Sequence, residues 1–245
     1  MTRRLAPTMD YQVTGTDVRS NIISQTKDMC MESPGFPQWP IQTFVERLAQ
    51  GNPLPGGGCA LALAGAMAAA LGGLATQLYL KKSQPEDDRN VVAQLLKEVE
   101  AQQADFLKLL DADALAYQAV VQAQRLPRQH ADQRLARQQA RDAAFLRACE
   151  PPLEMAARGL ALLKEAGLLA ARGNPVTLAD VGAMAFLAEA VVHGALINVF
   201  SNLSMIQNAA LSLTVRDQAR HLQEQLEDLG PRLKLALYGQ VLDRP

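Results

Sequence analysis

Residues 59–80 read CALALAGAMAAALGGLATQLYL, and the fate of this stretch decides the fold. Its 22 residues carry no charge and are nominally long enough to span a bilayer. They also contain eight alanines, three glycines and the pair Thr76-Gln77. Alanine and glycine gain little on transfer into lipid, and the next most apolar stretch, 183–203, contains Glu189, His193, Asn198 and Asn202. The reading is therefore a helix buried inside a bundle.

Working outward, Gly51-Asn52-Pro53-Leu54-Pro55-Gly56-Gly57-Gly58 precedes this helix, and a short helix over 41–50 precedes that turn. After it, apolar residues recur at helical spacing over 87–124, up to Pro127. Helical pattern resumes from about His130 to Arg172, with Pro151-Pro152 breaking it. Gly173-Asn174-Pro175 is a second breaker, and helices over 178–208 and 211–242 follow, the last interrupted at Gly230-Pro231. No strand-like alternation persists. Short loops between long helices predict an all-α, up-and-down multi-helix bundle over 41–245. Residues 1–40 show no helical period and include Ser33-Pro34-Gly35-Phe36-Pro37-Gln38-Trp39-Pro40, so they are expected to form an extended or disordered arm.

The composition agrees. Of 245 residues, 49% are hydrophobic and 20% charged, as in an ordinary globular protein. Only 4% are aromatic, which favours helices over sheet. The formal charge is −1, so neither nucleic acid nor an anionic membrane is an expected partner. Cys30, Cys59 and Cys149 are scattered and odd in number, which argues against disulfides and a thiolate zinc site. A cytoplasmic location follows as the expectation. Arg3-Arg4 leads into Asp10, Gln12, Thr14 and Asp17, which is not the apolar core of a secretory signal.

Several places could carry chemistry. The glycine turn opens onto a helix N-terminus, which suits an anion or a close ligand, but also suits tight helix packing. Cys59 at that helix start is either a small packing residue or a nucleophile. Asp111 and Asp113 lie two apart and so point about 200° from each other. Leu95, Phe106 and Val120 fall within about 20° of Asp113, and Tyr117 about 40° away. Asp113 therefore sits in an apolar stripe, where a carboxylate has a raised pKa suited to acid–base work or is satisfied by a neighbouring helix. Asp111 aligns with Glu100, Gln118 and Gln122 and reads as solvated. Lys81-Lys82 closes the apolar helix, as cations do at a helix C-terminus, or anchors a carboxylate. Thr177-Leu178-Ala179-Asp180 reads as a capping box. Asn198 and Asn202 are four apart and can act together on a polar ligand. Three scattered histidines give no metal-ligand pattern.

The order of these segments is specific in combination. It runs Phe44-Val45-x-x-Leu48-Ala49-x-Gly51-Asn52-Pro53-x-Pro55-Gly56-Gly57-Gly58, then Lys81-Lys82, then Asp111-Ala112-Asp113-Ala114-x-Ala116-Tyr117 and Leu126-Pro127. Pro151-Pro152-Leu153, Gly173-Asn174, Asp180 and Gly194-Ala195-x-x-Asn198-Val199-x-x-Asn202-Leu203 follow. From Ile41 to the C-terminus the chain resembles the formiminotetrahydrofolate cyclodeaminase and methenyltetrahydrofolate cyclohydrolase family.

The resemblance implies a helical homodimer acting on a tetrahydrofolate derivative as substrate, with no bound cofactor or metal. It implies Asp113 as the general acid/base, in agreement with the helical phase. It implies ligand contacts from Pro55, Gly56, Gly57, Gly58, Cys59, Lys81, Lys82, Asp180, Asn198 and Asn202. Cyclohydrolase and cyclodeaminase both fit, and a free-standing chain leans towards the cyclohydrolase. The sequence departs from the family at Cys59 and Ala179, where serine is usual, and near Gln84, where an aromatic is expected. These departures keep a second reading open: a folate-binding or scaffold protein without catalysis.

Overall fold

A computed structural model describes residues 34–82, 85–172 and 176–242. Seven α-helices follow one another: α1 Ile41–Ala49, α2 Gly57–Leu80, α3 Glu86–Arg125, α4 Ala131–Arg147, α5 Glu150–Ala171, α6 Leu178–Ser204 and α7 Leu213–Leu242. Short 3-10 turns occupy Phe36–Gln38 and Ala209–Ser212. Among the described residues every regular element is helical, as the sequence predicts.

The uncharged helix α2 turns one side into the bundle and leaves Met67 and Leu74 exposed on the other. It packs against α3, α6 and α5, while α7 covers α5 and α6. Small residues make this possible. A Cβ at Gly65 would overlap the ring of Phe106, so α2 and α3 approach at a distance only glycine allows. The stripe read around Asp113 is real: Leu95, Phe106 and Val120 on α3 are all buried. Both α2 and α6 are long and apolar enough to cross a membrane by length and composition, and about half of each is buried inside the protein.

Pro151 and Pro152 do not kink a helix but start one. They stand in the first turn of α5, where proline's missing N–H costs nothing. Pro231, expected to interrupt the last helix, is accommodated within α7. Leu178 begins α6 as predicted, but Thr177 makes no side-chain cap bond, so the expected capping box is absent.

Of the expected arm, residues 1–33 lie outside the described residues. Its last seven contain a turn of helix before two extended residues, Trp39 and Pro40. Phe36–Gln38 forms a 3-10 turn, and Phe36 is buried with edge-on contacts to Trp39 at 4.9 Å and Phe44 at 6.1 Å. Asp111 holds this turn: its carboxylate accepts the backbone N–H of Gly35 at 3.2 Å and of Phe36 at 3.0 Å. Asp111 is thus a capping anchor rather than a solvated side chain. An analogous clasp holds the segment after α6, where Asp142 on α4 accepts the N–H groups of Gln207 and Asn208, both at 3.0 Å.

Candidate active site

One cavity of about 310 Å³ opens where the N-terminus of α2 meets the middle of α3. Leu54 and the glycine turn form one wall, with Gly56, Gly57 and Gly58 at the lip. Asp113, Ala116, Tyr117, Val120, Val121 and Gln124 run along one face of α3 as the floor. Phe145 and Ala148 come from α4 and its end, and Asn198 and Asn202 from α6.

Asp113 is the carboxylate in this cavity. Gly58 is the reason it fits, since a Cβ at that position would overlap the Asp113 carboxylate. Behind Gly58, the fully buried Cys59 places its Sγ 3.6 Å from Asp113 Oδ2 and 3.5 Å from the Leu110 carbonyl oxygen. Burial raises the pKa of Asp113 above the usual aspartate value, and the Cys59 hydrogen bond offsets this in part. Burial also pushes the Cys59 thiol up to about 12, so Cys59 is a neutral thiol at neutral pH. That excludes it as a ready nucleophile.

Asn202 donates its Nδ2 hydrogen to the Ala148 carbonyl at 2.8 Å. This uses one of the two amide hydrogens and leaves the other, together with Oδ1, for a ligand. Asn198 lies one turn earlier on the same wall. Among the described residues, no three histidine, cysteine or carboxylate side chains gather as a metal-ligand set.

The structure thus brings together Gly56, Gly57, Gly58, Asp113, Asn198 and Asn202. Pro55 is buried within the turn, behind the lip, and its Leu54–Pro55 peptide is cis. Cys59, expected to touch ligand, is shielded from the cavity by its own burial and faces Asp113 instead. Lys81 and Lys82 are exposed at the opposite end of α2, about 35 Å from the glycine lip at 1.5 Å per residue. Asp180 lies in the first turn of α6, about 27 Å along that helix from Asn198. Within this chain these three do not reach the cavity.

Tyr117, Val120, Val121 and Gln124 escaped the sequence reading as ligand contacts. Tyr117, Val120 and Gln124 stand four, seven and eleven residues beyond Asp113, the spacing of one helix face. Phe145 and Ala148 carried no comparable signal.

Residues 40–221 match the sequence profile of formiminotransferase-cyclodeaminase. The chain belongs to that family. Among its relatives, the chicken (Gallus gallus) formimidoyltransferase-cyclodeaminase is 27% identical over 219 residues, 89% of this chain and 40% of the relative. The methenyltetrahydrofolate cyclohydrolase of Methylorubrum extorquens is 27% identical over 190 residues, 78% of this chain and 90% of the relative. The chain thus spans less than half of the first relative and most of the second. The fold matches the crystal structure of formiminotetrahydrofolate cyclodeaminase from Thermotoga maritima. Its TM-score is 0.75 at 24% identity, and the match covers 84% of this chain and 99% of that one.

Proposed function

We propose that this family member works at the one-carbon bridge of a reduced folate, hydrolysing 5,10-methenyltetrahydrofolate, with Asp113 as the proton carrier. One observation carries the reading: a half-buried carboxylate with a raised pKa faces a cavity lined by apolar side chains, Tyr117 and three amides. The match over 90% of the M. extorquens enzyme supports the cyclohydrolase, and the cyclodeaminase stands beside it as the alternative, because the chicken relative is equally identical at 27%.

In the hydrolysis, ionised Asp113 takes a proton from water as the water oxygen bonds to the bridge carbon. A tetrahedral carbon between N5 and N10 results. Asp113 then returns the proton to N5 as the C–N5 bond breaks, and the hydroxyl on the bridge carbon releases its remaining proton to solvent, leaving the formyl group on N10. The N-terminus of α2 supports this step, because its unpaired N–H groups favour the oxygen that gains negative charge. The cyclodeaminase reaction uses the same carrier: N10 attacks the carbon of the protonated formimino group and loses its proton to Asp113, which passes it to the amino group so that this leaves as ammonia. Neither route calls for a bound cofactor.

Dimerisation belongs to this reading. On α2, Met67, Leu74 and Lys81 lie within about 40° of one another and form an exposed stripe. On α6, Phe186, His193 and Ile197 do the same, also within about 40°. We assign both stripes to a two-fold contact with a second copy of the chain. An antiparallel pairing about the middle of α2 sets the partner subunit's Lys81 beside the glycine lip of the first subunit. The basic pair then meets the carboxylate tail of the folate in the other subunit's cavity. A dimer would cover with protein the apolar face that a membrane would otherwise claim, and a cytoplasmic location accords with that.

The test is turnover. Purified protein incubated with 5,10-methenyltetrahydrofolate is expected to remove its ultraviolet absorbance. A blank there, with turnover of the 5-formimino substrate, would make it the cyclodeaminase. Folate binding without either turnover would favour the scaffold reading opened by Cys59 and Ala179.

A further inference from the structure

Cys59 and Asp113 form an unusual pair. A thiol has one hydrogen, and the Cys59 Sγ has two acceptors at nearly equal distance: the Leu110 carbonyl at 3.5 Å and Asp113 Oδ2 at 3.6 Å. Cys59 is fully buried, so water cannot serve either acceptor from its side. The carboxylate is pressed against the Cα of Gly58, which fixes it within reach of the thiol. The other groups facing Asp113 across the cavity are Phe145 and Ala148 from α4 and its end, and Asn198 and Asn202 from α6. Tyr117, on the helix of Asp113 itself, is the other titratable side chain lining the cavity.

We propose that Cys59 is a positioning residue whose S–H hydrogen follows the charge of Asp113, turning to the Leu110 carbonyl when Asp113 is protonated and to Oδ2 when it is ionised. In this way the thiol sets the pH at which Asp113 releases its proton. A thiol is a weak donor, so it stabilises the carboxylate less than a hydroxyl would. Cysteine here leaves Asp113 more basic than serine at the same place. The direction of both shifts agrees: burial raises Asp113 and keeps the thiol protonated. Only the kinetic consequence rests on the reading of Asp113 as the proton carrier.

Infrared spectroscopy of the substrate-free protein tests the rotor directly, because the S–H stretch lies in a window clear of other protein bands. The band lost in Cys59→Ser is that of Cys59. It is expected to shift with pH in a single step whose midpoint coincides with the carboxyl band of Asp113, and to stay constant in Asp113→Asn. A Cys59 band that does not move with pH, or that titrates unchanged in Asp113→Asn, overturns the proposal. In the pH–rate profile, Cys59→Ser is expected to move the Asp113 limb to lower pH and Cys59→Ala to higher pH, each by about 0.5–1 pH unit. A limb unmoved in both folded variants overturns it as well. Absence of turnover with either folate would count against the proposed function, while the infrared result would still decide the rotor. Cys59→Ser, nearly isosteric, keeps the test valid if Cys59→Ala fails to fold.

Discussion

The carboxylate of Asp113 lies directly against the Cα of Gly58, so closely that a Cβ there would overlap it. The glycine turn and the Asp-Ala-Asp segment, 54 residues apart in the chain at Cys59 and Asp113, are therefore two halves of one device. Glycine at this position lets the first turn of α2 pass over a half-buried acid.

Gly58→Ala should consequently damage the site before it damages the fold. We expect destabilisation of about 1–3 kcal/mol by overpacking. We expect a loss in kcat/KM of about 100-fold or more from displacement of Asp113. Thermal melting beside turnover measures both. Unchanged kcat/KM would show that the contact is unimportant.

Burial raises the pKa of Asp113, and the ionised form is the one that accepts a proton from water. Cyclohydrolase kcat/KM should therefore fall with decreasing pH, on a limb centred above the ordinary aspartate value of 3.8. A pH–rate profile whose limb sits at or below that value would contradict the assignment.

Glu165 on α5 is a separate buried acid. It accepts a 2.5 Å hydrogen bond from Gln102 Nε2, and burial pushes its pKa from the ordinary 4.5 up to about 7. The folded state then holds this proton more tightly than the unfolded chain does. The associated stability is full below about pH 4.5 and is lost as pH rises through about 7. Glu165→Gln should raise the melting temperature at pH 8, with a gain of about 1–3 kcal/mol, and flatten its pH dependence between 5 and 8. A variant that melts lower than the parent at pH 8 would refute this.

Asp111→Ala should free the turn that carries Phe36. Two hydrogen bonds to a carboxylate are lost, for a cost of about 1–3 kcal/mol. Because Asp111 does not line the cavity, turnover at temperatures below the melt should persist. Hydrogen exchange at Gly35 and Phe36 is the local readout, and continued protection there would be the contrary result.

Met67→Glu and Ile197→Glu place charge in the exposed stripes of α2 and α6. If a second copy covers these faces, sedimentation should show the parent as a dimer and the variants as monomers. A monomeric parent that remains soluble without detergent would remove the two-fold contact from the account, and a parent needing detergent would favour the membrane.

Much of this was legible in the sequence because it was periodic. The phase of Leu95, Phe106 and Val120 picked Asp113 over Asp111, and the alanines and glycines of α2 pointed inward. What the sequence concealed depends on which ends of helices meet. Lys81, Lys82 and Asp180 share a motif order with the cavity residues, yet within the chain they lie at the other end of α2 and α6. Asp111 was read as solvated because its partners, Gly35 and Phe36, come from a segment with no periodicity of its own. Pro231 shows the reverse limit: a helix breaker by local rule sits within α7.

The most direct measurement compares the parent protein and Asp113→Asn on 5,10-methenyltetrahydrofolate, with ligand binding followed in parallel. The account predicts that binding survives while turnover falls about 100-fold or more, the contribution of a positioned proton carrier. Equal turnover in the two proteins would contradict it.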